Sequence, residues 1–213
     1  MSEERESDTA ERILAQVVRS LERGGYDSVY VQEVARGARV SLTTVYKLFG
    51  TRDELIVAAI ERWMAQCSYT APPAPPGETL REGLMRLLRG VFEPWERSPQ
   101  MLKAYHRALC GPGGHRLDIQ GRAAVRETAT AVLAAADPGY RDDLDRILVN
   151  LSYGLISRYA AGALDIAEIM PTLERAVHRL TADNELAADV ARPRGVATED
   201  TASGTQCRAR NLL

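Results

Sequence analysis

The sequence predicts an all-α protein in which a small N-terminal helical unit is joined to a larger helical bundle. Three observations lead there. Apolar residues recur at spacings of three and four along nearly all of the chain before Asp183. No alternating strand pattern and no repeat of fixed period interrupts them. Glycine, proline and cap-forming residues punctuate the apolar runs at helix-length intervals. The 213 residues, 45% hydrophobic and 26% charged, suffice for one large domain or a small one fused to a larger.

The elements follow in order. Ile13, Leu14, Val17, Val18 and Leu21 mark a first helix, with Asp8 and Glu11 spaced as a capping box and Gly24-Gly25 as its stop. A second, short helix covers Val31 to Ala38. A third runs to Phe49 from Ser41, whose hydroxyl suits an N-cap, and Gly50 ends it. Thr51 and Glu54 form another capping box, and Leu55, Ile56, Ala59, Ile60 and Trp63 carry a fourth helix to about Cys67. The proline-rich run from Ala71 to Gly77 cannot be helix and reads as a stiff connector rather than a partner-binding proline motif.

Beyond it, Leu80, Leu84, Leu87, Leu88, Val91, Phe92 and Trp95 form a fifth helix, broken near Pro94. Met101, Leu102, Tyr105 and Leu109 form a sixth. Gly111 to Gly114 is a turn, since no strand precedes it as a phosphate loop requires. Val125, Ala129, Val132, Leu133 and Ala136 form a seventh helix, closed by Pro138-Gly139. The eighth, from about Asp142 to Ala163, is apolar almost all round, which predicts burial on both sides. The ninth carries Ile166, Ile169, Met170, Leu173, Val177 and Leu180, restarting so that Pro171 lies in its first turn. Residues 184–213, without aromatics, read as a disordered tail.

Composition narrows the function classes. Lys+Arg 27 against Asp+Glu 29 gives a net charge of −2, and no apolar run reaches the roughly 20 residues of a membrane helix. The charged start, MSEERESDTAER, has no apolar stretch of a secretory signal. Cys67, Cys110 and Cys207 are too scattered for zinc or a disulfide framework, so a cytoplasmic location is expected. His106, His115 and His178 are equally scattered. No catalytic set, metal or cofactor is expected.

Residues 31–49, VQEVARGARVSLTTVYKLF, fit a helix-turn-helix. Val34, Ala35, Val40, Val45 and Phe49 sit where they pack the two helices together. Leu42, Thr43, Thr44, Tyr46 and Lys47 form an outer face with hydroxyls and a cation, suited to a major groove. Arg36, Arg39, Lys47 and Arg52 form a basic stretch without an acid. The same pattern also describes a plain helical hairpin with solvated arginines.

The stretch from Glu11 to Ile60 resembles, without a gap, the N-terminal domain of the TetR family of bacterial transcriptional regulators. The resemblance rests on Gly25-Tyr26, Val34-Ala35, Val40-Ser41, Thr44-Val45-Tyr46, Phe49, and Arg52 followed by Leu55. It implies a three-helix DNA-binding unit (residues 1–52) and, from 53 to 183, a linking helix and a ligand-binding, dimer-forming domain. Within the family, the Gly24-Gly25-Tyr26 phrase ending at Val29, and Ala163-Leu164-Asp165-Ile166 before the last helix, are similar to actinobacterial repressors of sterol catabolism.

The resemblance assigns Leu42, Thr43 and Thr44 to base edges, Tyr46, Lys47 and Arg52 to DNA contacts including phosphates. Two positions depart from the family pattern. Tyr30 replaces the usual hydroxyl cap of helix two, so the cap is lost while its phenol still reaches a phosphate, and Arg39 replaces the usual turn glycine, where it either strains the turn or adds a phosphate contact. An apolar pocket is expected to use Trp63, Phe92, Trp95, Met101, Tyr105, His106, Leu109, Leu151 and Leu155, although Phe92 and Trp95 also read as plain core and His106 as a core histidine. The apolar faces of the last two helices, through Tyr153, Tyr159, Ile169, Leu173, Val177 and Leu180, predict a homodimer. Together these imply a repressor that binds palindromic double-stranded operator DNA and is released by a small apolar effector. The resemblance suggests an acyl- or sterol-coenzyme A thioester. A regulator without an effector, an activator and an all-helical enzyme are the alternatives.

Overall fold

The structure, a computed structural model, describes residues 2–67 and 73–182, and the expected tail over 184–213 lies outside the described residues. Nine α-helices occupy them: α1 (Ser2–Gly24), α2 (Val31–Ala38), α3 (Leu42–Phe49), α4 (Arg52–Cys67), α5 (Leu80–Arg97), α6 (Pro99–Leu109), α7 (Gly114–Val132), α8 (Pro138–Ala160) and α9 (Ile169–Thr181). Short 3-10 turns, Tyr26–Ser28 and Ile166–Glu168, precede α2 and α9. Among the described residues no helix is long and apolar enough to cross a membrane.

Several boundaries differ from the sequence reading, each for a local reason. α1 starts at Ser2, so Asp8 is no cap; it lies within the helix, 3.4 Å from Arg12 one turn on. α5 is not broken at Pro94. It loses one rung there for want of an N–H and ends one turn later at Arg97. Its start carries a Thr79–Glu82 capping box that the apolar pattern does not reveal. α7 begins at Gly114, well before Val125, because Leu117 and Gly114 are its only buried residues and leave almost no periodic signal. Pro138 does not close α7. It is the first residue of α8, capped by the Asp137 carboxylate, which accepts from the Gly139 and Tyr140 N–H groups. Gly114 owes its identity to crowding: a Cβ there would stand 2.0 Å from the Leu109 carbonyl oxygen.

Residues up to Ala182 form one compact unit. Ile13, Val17 and Leu21 of α1 are fully buried, and α1 packs on α2, α4 and α6. α4 buries Leu55, Ile56, Ile60 and Met64 and reaches α7 as well as α6. α9 lies on α5 and α8. Polar contacts tie the layers: Trp63 Nε1 donates to Glu22 at 3.0 Å, Tyr159 to the Pro99 carbonyl at 3.1 Å, and Tyr140 to the Leu180 carbonyl at 2.8 Å.

Burial on both sides of α8 is not what the structure has. Leu144, Leu148, Leu155, Ile156 and Tyr159 are buried, whereas Ile147, Asn150, Gly154 and Arg158 form an open face. The stripe expected at a dimer interface is likewise displaced. Ile169, Leu173 and Val177 are 1%, 0% and 0% exposed, spent on the chain's own core, and Tyr159 is buried beside them. Leu180 is half-buried, packed against the same core. The apolar period of α9 reports its seat on α5 and α8, not a surface for a second chain.

Candidate nucleic-acid interface and effector cavity

The turn between α2 and α3 is set by its caps. The Ser41 hydroxyl accepts from the Thr44 N–H at 3.0 Å, and Ser41 Oγ lies 2.8 Å from Thr44 Oγ1, so the Thr44 hydroxyl is already partnered within the helix. Tyr30 stands at the start of α2 and makes no side-chain cap. Arg39 closes α2 in the left-handed region (φ 56°), with its N–H bonded to the Ala35 and Arg36 carbonyls. That conformation costs a residue with a Cβ about 1 kcal/mol or more. Arg39→Gly is therefore expected to raise stability by roughly 0.5–1 kcal/mol, after the added freedom of the unfolded chain is subtracted. Urea denaturation of the two proteins checks it; a fall in the midpoint would mean that the turn is unstrained.

Val34, Ala35 and Val45 are buried between the two helices, with Val40 and Phe49 packed at the edge. The opposite side of α3 is turned to solvent. Leu42 and Tyr46 are 38% and 45% exposed, Tyr30 is 61% exposed, and Thr43, Arg39 and Lys47 lie on the same open surface. Lys47 pairs with Glu6 at 4.0 Å. An exposed pair at that distance contributes little and yields readily to another anion.

Arg52 points elsewhere. Its Nε donates to the Val29 carbonyl at 2.9 Å and its Nη2 to the Tyr26 carbonyl at 2.6 Å, fastening the loop before α2 to the first turn of α4. The guanidinium also lies 5.0 Å from the Tyr26 ring centre. Tyr26 donates to Asp53 at 2.6 Å, and burial, then that hydrogen bond and the Asp53 charge, push its hydroxyl up to about 12. From α6, Arg107 stacks on the same ring at 4.4 Å and pairs with Asp27 at 2.6 Å. The α1–α2 loop is thus held from two sides, by α4 and by α6.

Behind this, α5, α6, α7 and α8 line a half-open cavity of about 180 Å³. Leu84, Leu88, Phe92 and Trp95 supply one wall, Val125 and Ala129 another, Leu148 and Ile156 a third. Of the pocket residues expected from sequence, Phe92, Trp95 and Tyr105 line it. The others do not. Trp63 stands behind the wall, its ring 4.4 Å from that of Trp95, which in turn lies 4.9 Å from Tyr105. Met101 and Leu155 are core, Leu109 and Leu151 pack at its edge, and His106 sits 4.0 Å from Cys110 outside the cavity. Tyr153, expected at a dimer interface, lines the cavity instead. On α8 the difference is one of rotation: the lining residues Leu148, Ser152 and Ile156 lie about 100° around the helix from Leu151 and Leu155.

Arg122 and Tyr153 give the cavity a polar corner, with Ser152 and Asp145 also in its lining. Tyr153 donates to Asp118, which Arg122 Nε grips through both carboxylate oxygens at 3.2 and 3.0 Å. Arg122 first, then Tyr153, holds the Asp118 carboxyl below its ordinary range, while burial and the hydrogen bond to Asp118 push the Tyr153 hydroxyl up to about 12.

Residues 13–59 match the bacterial regulatory proteins of the tetR family, and residues 77–180 match the tetracyclin repressor-like C-terminal domain. The chain belongs to the TetR family. The first match runs from within α1 to within α4, and the second covers α5 to α8 and reaches into α9. The chain is 27% identical over 109 residues to the HTH-type transcriptional repressor KstR of Rhodococcus jostii, covering 51% of each chain. It is 39% identical over 75 residues to an uncharacterised HTH-type transcriptional regulator of Mycobacterium tuberculosis, covering 35% of each. The alignments thus span about half, or less, of these relatives' lengths. In fold it is similar to a TetR transcriptional regulator from Rhodococcus sp. RHA1, with a TM-score of 0.62 at 20% identity over 83% of this chain and 97% of that one.

Proposed function

We propose that this TetR-family chain is a cytoplasmic, ligand-responsive transcriptional repressor that binds palindromic operator DNA as a homodimer. The observation that carries the reading is the outer face of α3, free of any core duty and flanked by Tyr30 and Arg39. Leu42, Thr43 and Thr44 read base edges, and Tyr46 and Lys47 hold phosphates. The DNA-binding unit spans residues 1–52 and the effector and dimer domain 53–183. The partner chain lies on the open face of α8, at Ile147, Asn150, Gly154 and Arg158, and on the outward side of α9, at Glu174, Arg175 and His178.

A small apolar effector, lipid-, acyl- or sterol-derived, fills the cavity between α5 and α8. A coenzyme A thioester is one such molecule, in keeping with the resemblance to sterol-catabolism repressors. Release follows from a population shift. Two recognition helices enter successive major grooves only when about 34–36 Å apart. A ligand that favours another spacing weakens operator binding by its differential affinity, and DNA weakens ligand binding equally.

The test is a titration of acyl- and steroyl-coenzyme A compounds against a preformed operator complex, repeated with Ala129→Phe, which fills the cavity. Wild type should release DNA on ligand binding. The variant should bind the operator normally and ignore the ligand. A compound that binds tightly yet leaves operator affinity unchanged is no inducer, and light scattering that shows a monomer at micromolar concentration removes the dimer.

A further inference from the structure

We infer that this chain reads its operator mainly through the 5-methyl groups of thymine, which Leu42 and Thr44 meet in the major groove. This deepens the operator reading above and rests on it.

The recognition helix lacks the side chains that read bases by matched pairs of hydrogen bonds. Its sequence, LTTVYKLF, holds no arginine, asparagine, glutamine, aspartate or glutamate. Arginine suits the guanine edge, asparagine or glutamine that of adenine, and a carboxylate that of cytosine. Lysine also serves guanine, but Lys47 stands in the last turn of α3, on the part of the helix given to phosphates. Val45 is buried, and Leu48 and Phe49 pack against the core. Base readout therefore falls to the first turn, Leu42, Thr43 and Thr44.

Of these three, Leu42 has no hydrogen bond to give. It is the first residue of α3, 38% exposed and outside the buried core. An apolar side chain in that place gains only when another apolar surface covers it. On the base edges of the major groove that surface is the thymine methyl group. Thr44 is half-buried, and its hydroxyl lies 2.8 Å from Ser41 Oγ within the helix cap, so its methyl group is what it has left unpartnered. Thr43 keeps a hydroxyl for a hydrogen bond. Two methyl contacts beside one hydroxyl make thymine the base most strongly read. They also distinguish T·A from A·T, since the methyl marks the strand that carries thymine. Arg39 and Lys47 flank these residues, and residues 34–51 contain no acid to oppose the phosphates.

The experiment begins with the duplex that the full chain enriches from a random-sequence DNA library. Each thymine in it is then replaced in turn by deoxyuridine, which keeps every hydrogen-bonding group and removes the methyl, and affinity is measured by fluorescence anisotropy at one fixed salt concentration. At least two thymines in each half-site should respond, each with a loss of about fourfold, the effect of uncovering one methyl group. Leu42→Ala should weaken the thymine duplex at least as much and make it indifferent to deoxyuridine at one of those positions. Thr44→Ser, which keeps the hydroxyl beside Ser41 and removes the methyl, should do the same at a second. Thr44→Val, of the same shape without the hydroxyl, should keep the response. If no thymine responds, or the response survives in full in Leu42→Ala, methyl readout is overturned while DNA binding stands. A response that survives in Thr44→Ser, or is lost in Thr44→Val, overturns the part given to Thr44. If the library yields no enriched duplex, the operator reading itself falls, and methyl readout with it.

Discussion

Arg52→Ala should lower the stability of the chain by about 2 kcal/mol and weaken operator binding without altering its salt dependence. The first effect follows from what the guanidinium holds. It donates to the carbonyls of Val29 and Tyr26, and hydrogen bonds from a charged donor contribute roughly 1.5–3 kcal/mol. Val29 is buried, so its orphaned carbonyl would have little water to replace the lost donor. Stacking on Tyr26 adds less, about 0.5 kcal/mol, because the side chain is partly solvated. The second effect follows from position. The loop that Arg52 fastens leads directly into α2, against which α3 is packed. Loosening it misplaces the recognition helix without removing a phosphate contact. Loss of one phosphate contact reduces the slope of log K against log salt by roughly 0.9, so the slope separates a fastening role from a contact. Lys47→Ala supplies the comparison: its slope should fall by about 0.9 while stability changes by less than about 0.5 kcal/mol. Urea unfolding and binding at several salt concentrations measure both. A reduced slope with unchanged stability for Arg52→Ala would return that residue to the phosphates.

The contrast between Arg52 and Lys47 shows what the sequence can carry. Both are cations beside a helix-turn-helix, and spacing places both near DNA. Only three-dimensional contact reveals that two backbone carbonyls 23 and 26 residues upstream claim one of them. The local elements were legible because caps and periodicity act within a few residues: Ser41, the Thr51–Glu54 box and the restart at Pro171 all stand where expected. α7 was half-legible, since a helix that buries so little leaves no apolar period. Its N-terminal half nevertheless supplies Arg122 and Asp118, the polar corner of the cavity. An Asp-x-x-x-Arg pair at helical spacing was a signal present at 118 and 122, though it reads as an ordinary surface ion pair. On α8 and α9 the apolar content is legible in the sequence, but not the surface it serves. Periodicity says that Ile169, Leu173 and Val177 share one face. It does not say whether that face meets its own chain or another.

Arg107→Ala should leave operator and ligand affinities nearly intact when each is measured alone, yet cut the coupling between them by about tenfold. α6 is the reason. It places Tyr105 on the cavity wall and, two residues later, Arg107 on Tyr26 and Asp27, in the loop between α1 and α2. Its first residue is tied to α8 through the Tyr159 hydroxyl. A rotation of this single helix by a ligand against Tyr105 must move Arg107, and with it the loop that Arg52 fastens from the other side. The Arg107–Asp27 pair is exposed, so its loss should change stability by less than about 1 kcal/mol. Couplings between sites in proteins are typically 5–150-fold, so a tenfold loss removes most of one. The measurement is operator affinity with and without a saturating acyl- or steroyl-coenzyme A compound, in wild type, Arg107→Ala and Arg107→Lys. Lysine retains the charge opposite Asp27 but not the planar stack on Tyr26, and should fall between the two. Reciprocity supplies an internal check, because operator DNA must lose the same factor in its effect on ligand affinity. Unchanged coupling in Arg107→Ala would assign transmission instead to the Tyr105–Trp95–Trp63 stack, whose last member donates to Glu22 of α1, and Trp63→Phe, which keeps an aromatic ring of smaller size and removes that donor, would then carry the loss.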